Sequence, residues 1–139
     1  MATIKSYTDI EQSKKLAEIL PLESVDMFWL VAGNTPRVHV LTELLSNYSH
    51  WENYHCWSLV ALLNSLPNEI STGERYCDKY QIDIRKHDRG DNITLYQIAY
   101  GNNRGLSGSW HDMINSGERE ELIDACYEMI LKLNELKML

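Results

Sequence analysis

Near the end of the chain, apolar residues recur at Leu122, Cys126, Ile130 and Leu133, with Ile123, Met129 and Leu136 widening the stripe. A period of about 3.6 residues puts these side chains on one face of an α-helix that runs almost to the C-terminus. Asp124, Glu128, Lys132 and Glu135 lie largely away from that face. Such a helix is a docking element, so the rest of the chain must present a surface for it to cover. Tyr80-Gln-Ile-Asp-Ile-Arg85 alternates apolar and polar residues, and Asn92–Tyr100 is β-rich with both faces partly apolar. These segments predict an antiparallel hairpin with Lys86–Asp91 as its loop.

Upstream, Thr8-Asp9-Ile10-Glu11 has the spacing of a capping box, which predicts a helix starting there. Pro21 ends it near residue 20. Met27–Val31 reads as a strand followed by the turn Gly33-Asn34-Thr35-Pro36, with Arg37–Leu41 as a hairpin partner. Leu41–Tyr48 fits a helix equally well. Trp57–Pro67 is apolar around nearly its whole circumference and predicts a helix buried on most sides, closed by Pro67. Residues 101–118 are glycine-rich and form the longest expected loop, after which Asn115, with Glu118 three residues on, caps the last helix. Helix, strands, helix, antiparallel hairpin and helix make an α+β fold, with helices on one face of a small antiparallel sheet and a long C-terminal helix.

The 139 residues are enough for a single domain, 1–139, with its own core. An apolar share of 44% and a charged share of 24% are those of a globular chain. With no long apolar run and no signal-like N-terminus, the expectation is a cytoplasmic protein without a membrane span. Thirteen basic against twenty acidic residues give a formal charge of -7, which disfavours nucleic acid as a partner. Cys56, Cys77 and Cys126 are odd in number and lack CxxC spacing, so they read as buried free thiols.

Three segments offer chemistry. In Gly101-Asn-Asn-Arg-Gly-Leu-Ser-Gly-Ser109, successive backbone amides can form an anion-holding nest with Arg104 adding charge, although both the Walker lysine and a dinucleotide fingerprint are absent. Arg85-Lys-His-Asp-Arg-Gly-Asp91 concentrates positive charge at the expected hairpin tip, where solvated turn residues are the plainer account. Tyr48–Trp57 holds four aromatics, two histidines and a cysteine, without the spacing of a common zinc site. It reads as a lid or partner surface anchored by aromatics. His111 and Asp112, with Ser107 or Ser109 nearby, raise an acid/base alternative that no nucleophile-elbow sequence supports.

Tyr7–Met27 (YTDIEQSKKLAEILPLESVDM), Cys56–Pro67 (CWSLVALLNSLP) and Asp124–Leu139 cover about a third of the chain. In these segments the sequence resembles small uncharacterised proteins of gut Bacteroidales and their phages or other mobile elements. The resemblance implies a small cytosolic protein carried on mobile DNA and brings no activity and no catalytic residues with it. The shared segments are mainly packing elements, which leaves function to loops and hairpins.

The functional expectation is a non-enzymatic binding or interaction protein that engages a host protein or a small charged ligand and needs no cofactor or metal. Arg85, Lys86, Arg89 and Arg104 are its charge donors, Trp110 its apolar anchor, and His111 a flanking candidate. The alternative is a small hydrolase or nucleotide-processing enzyme using His111 and Asp112. A third reading is a homo-oligomer joined through an apolar face at Leu133–Leu139.

Overall fold

A computed structural model describes residues 4–32, 35–40, 52–75, 78–104 and 108–139. The chain is α+β: its described residues form three α-helices and two antiparallel sheets, of three and four strands. It divides into two compact units, residues 1–65 and 66–139. No helix among the described residues is long and apolar enough to cross a membrane.

In the first unit, α1 (Ile10–Ala17) begins one residue later than the expected cap. Asp9, not Thr8, accepts from the Gln12 amide at 2.8 Å, and Gln12, not Glu11, reaches back to the Asp9 amide. Thr8 is unavailable because it is fully buried: its hydroxyl accepts from the Trp57 amide at 3.2 Å, and its carbonyl takes the Trp29 indole N–H at 2.9 Å. β1 (Met27–Ala32) pairs on one side with β2 (Thr35–Val40), the expected hairpin, and on the other with β3 (Glu52–Cys56). Phe28 and Leu30 alternate into the core, and Phe28 stacks on His39 across the hairpin. The alternative helix over Leu41–Tyr48 lies outside the described residues.

The aromatic segment is not a lid where it is described. Residues 52–56 are β3, which packs against α1, while Cys56 and Trp57 are fully buried. Trp57 also donates its indole N–H to the Ser24 hydroxyl at 2.9 Å. Of the described rings in this segment, Trp57 is core and Tyr54 hydrogen-bonds Glu52 on the same strand. α2 (Leu59–Ser65) is shorter and wetter than its composition suggested: Ala61 and Leu62 are buried but Val60 is 65% exposed. Its start is set by Ser58, whose hydroxyl accepts from the Ala61 amide and whose own amide and hydroxyl both donate to Asp26.

The second unit has strand order β4-β5-β6-β7: Glu69–Ser71, Lys79–Gly90, Ile93–Asn102 and His111–Asn115. The hairpin loop is only Asp91–Asn92, not Lys86–Asp91. Both residues have positive φ, 54° and 61°, as a type I′ turn requires, and a bulge at Arg89 precedes it. Residues 86–90 are exposed on both faces of the hairpin, so polar side chains are compatible with strand there and the charge run misleads. The expected 101–118 loop is likewise shortened, because Gly101 and Asn102 belong to β6 and residues 111–115 form β7.

α3 (Leu122–Glu135) packs on β6, burying Ile123, Cys126, Met129, Ile130 and Leu133 as the apolar stripe predicts. Its cap is Glu121, six residues later than the expected Asn115. Asn115 sits in β7, and a bridge between Tyr96 and Arg119 keeps the chain extended up to that point. The helix ends in a Schellman motif: Met138 N–H bonds to the Leu133 carbonyl at 2.8 Å and Lys137 N–H to Asn134 at 3.0 Å, with Lys137 at φ 57°. The apolar face therefore stops short of the terminus, and Leu136 and Leu139 are separate, half-exposed side chains. Tyr100 is fully buried beneath the sheet's helical face and donates its hydroxyl to the Pro67 carbonyl at 2.5 Å; burial pushes its ionisation well up. Desolvation pushes the Cys126 thiol up to about 12, and Cys56 is raised for the same reason, so both are inert free thiols. Cys77 lies outside the described residues.

Candidate ligand-binding site

Register places Glu69 opposite Gln81, Gln81 opposite Gly101, and Gly101 opposite Asp112. Directly paired residues share a face, so this row crosses all four strands on one side of the sheet. Alternation along β5 adds Lys79, Asp83 and Arg85 to the same side, and Ala99 joins it on β6. Ala99 and Gly101, both small, are buried. Their size leaves room for larger side chains from the neighbouring strands to lie above β6.

Trp110, immediately before β7, does so. A Cβ added to Gly101 would fall 2.7 Å from the Trp110 indole nitrogen and closer still to the His111 carbonyl, so the glycine is required by close approach. The indole is held in place by its N–H, which donates to Asp112 Oδ1 at 2.6 Å. Asp112 in turn receives both terminal guanidinium nitrogens of Arg85, at 2.9 and 2.6 Å, and Arg85 Nε donates to Asp83 at 2.6 Å. The bidentate Arg85 contact holds the Asp112 carboxyl below the usual carboxylate range against the opposing effect of burial, and Trp110 adds to the lowering. Asp112, followed by Asp83, holds Arg85 in its charged form.

Beside Trp110 lies a polar cavity of about 240 Å³, lined also by Glu69, Lys79, Gln81, Asn102, Asn103 and Arg104. Its volume is below the range of roughly 300–1,000 Å³ typical of drug-sized ligands, so it suits a small molecule. The Asn102 side chain joins its two walls. It donates to the Lys79 carbonyl at 3.0 Å and accepts from the Arg104 amide at 3.1 Å, which fixes the chain where Arg104 leaves β6.

The structure thus brings Arg104 and Trp110 together at one cavity and ties Arg85 to Trp110 through Asp112. Lys86 faces the opposite side of β5, and Arg89 sits in the bulge near the turn; both are exposed and away from the cavity. Arg85 is committed to two carboxylates and is no free charge donor. His111 is exposed on β7 opposite Asn102, and as a neighbour of Asp112 along the strand it points to the other face. Asp112 is itself occupied by Arg85 and Trp110, so the acid/base pair does not converge. Ser107 and His50 lie outside the described residues, as do the amides of residues 105–107 in the expected nest. Among the described residues, no three His, Cys, Asp or Glu side chains group to hold a metal.

Glu69, Lys79 and Gln81 were not foreseen as site residues. β4 is three residues long, too short for a periodicity, and without it the row across the sheet cannot be assembled. No protein-family model, curated protein or solved structure matches this chain.

Proposed function

We propose that this is a non-enzymatic binding protein whose ligand is a small charged molecule held in the cavity beside Trp110. The observation that carries the reading is the convergence of Arg104, Lys79, Glu69 and an indole on one concave polar surface, with the indole fixed by a bidentate Arg85–Asp112 pair. A rigid aromatic wall and a few polar groups are what small-ligand sites use for affinity and orientation. The committed state of Asp112 and the divergence of His111 favour binding over hydrolysis. We take the protein to be cytoplasmic and, from the resemblance of its packing segments to mobile-element proteins of Bacteroidales, an accessory factor. Its acidic net charge makes nucleic acid an unfavoured partner.

Native mass spectrometry of the full chain purified from its natural source, compared with the denatured chain, tests this reading. A small molecule released on denaturation, and absent from Trp110→Ala and Arg104→Gln protein, is the expected result. A bare chain, together with no binding by any small charged compound in titration, would overturn it.

A further inference from the structure

Glu69 and Lys79 line the same cavity from neighbouring strands and the same face of the sheet, Lys79 lying two residues from Gln81, the partner of Glu69. Opposite charges placed diagonally across antiparallel strands are within reach of one another. Yet no ion pair joins them, and among the described residues neither has an ion-pair partner elsewhere. Arg104 contributes a second cation to the lining, and Trp110 contributes a ring whose N–H is already committed to Asp112, so what it offers a ligand is hydrocarbon surface.

A simple anion in this cavity would meet Lys79 but be repelled by Glu69, and a simple cation would meet the reverse. A ligand carrying both charges on groups joined through one carbon answers Glu69 and Lys79 at once. A volume of about 240 Å³ limits the rest of that ligand to one small apolar or aromatic side chain.

We propose that the cavity binds the zwitterion of a free α-amino acid, its ammonium on Glu69, its carboxylate on Lys79, and its side chain against Trp110. The proposal rests on the reading of this protein as a small-ligand binder and names the class of ligand.

Isothermal titration of the full chain with L-phenylalanine, L-leucine and L-glutamine tests it, alongside the amide and N-acetyl derivative of whichever binds best. The zwitterion should bind, and removing either ligand charge should weaken it at least about tenfold, the scale of one hydrogen bond to a charged group. Glu69→Gln should reproduce the N-acetyl loss and Lys79→Met the amide loss, with unchanged thermal midpoints showing that both variants fold. Equal binding of a derivative and its parent amino acid would overturn the assignment. So would Trp110-dependent binding of inorganic phosphate or a sugar acid in place of amino acids, an outcome that leaves the cavity as a ligand site. No binding by any of these compounds would overturn the assignment and count against the cavity itself.

Discussion

Gly101→Ala is the substitution in which the geometry of the site and ordinary backbone energetics predict opposite signs. Gly101 is not among the positive-φ residues, so its backbone accepts alanine. Replacing a glycine at such a position normally stabilises by about 0.4–1 kcal/mol, because the unfolded chain loses freedom. Here the new methyl would lie 2.7 and 2.8 Å from two atoms of the Trp110 indole and closer still to the His111 carbonyl, whereas ordinary contact begins at 3.4 Å. The indole must retreat by several tenths of an ångström, and the carbonyl belongs to β7, so the strand must move as well. Overpacking of this kind costs about 1–3 kcal/mol, which leaves a net destabilisation of roughly 0.5–2 kcal/mol. Urea unfolding followed by far-ultraviolet circular dichroism measures this directly, with an unchanged slope confirming that the unfolded state is the same. Ligand affinity should fall in the same variant, since Trp110 is the wall of the cavity. In a Trp110→Ala background the indole part of the cost disappears and the carbonyl part survives, so the two substitutions are coupled. An alanine variant as stable as the parent, or more so, would refute the placement of Trp110 and β7 over Gly101.

Asp112→Asn should cost about 1 kcal/mol at neutral pH, as expected for a bidentate but partly exposed pair. Because the folded-state ionisation of Asp112 is lowered, its contribution is full above the unfolded value near 3.9 and is lost as pH falls through the lowered one. The stability difference between parent and variant should therefore shrink in acid, and a difference that grows there would refute this account. Lys137→Gly should stabilise by up to about 1 kcal/mol, since a lysine occupies the left-handed position of the Schellman motif, and thermal unfolding would show it. Asp9→Ala should destabilise by about 1 kcal/mol through loss of the cap, and urea unfolding that shows no loss would return the cap to Thr8, whose buried hydroxyl should make Thr8→Ser cost less than Thr8→Val.

What was legible in the sequence followed the strength of local pattern. The stripe from Leu122 to Leu133 identified α3 and its buried residues because a long helix repeats its signal several times. The β5–β6 hairpin was visible in alternation, but its distal half was not, because both faces there are in solvent and carry no alternation to read. β3, β4 and β7 are three to five residues long and gave no period at all. The site was legible only in fragments for the same reason. Arg104 and Trp110 drew notice as charge and aromatic in a glycine-rich stretch, while Glu69, Lys79 and Gln81 join them only through register. Arg85 drew notice for its charge, which the fold uses to hold Asp112 and, through it, Trp110.

The two-residue turn at Asp91–Asn92 has a consequence for how such a protein can diverge over generations. Everything from Arg85 back to Gln81 is kept opposite its partners on β6 by the count of residues out to that turn and back. A single residue gained or lost within β6 must be extruded as a second bulge, or it rotates Ile98 and Tyr100 away from α3 and onto the cavity's face. Matched additions, one on each side of the turn, disturb neither the packing of α3 nor the row from Glu69 to Asp112. Related chains should therefore vary in the length of the distal hairpin by even numbers of residues, with the end that carries the cavity held constant.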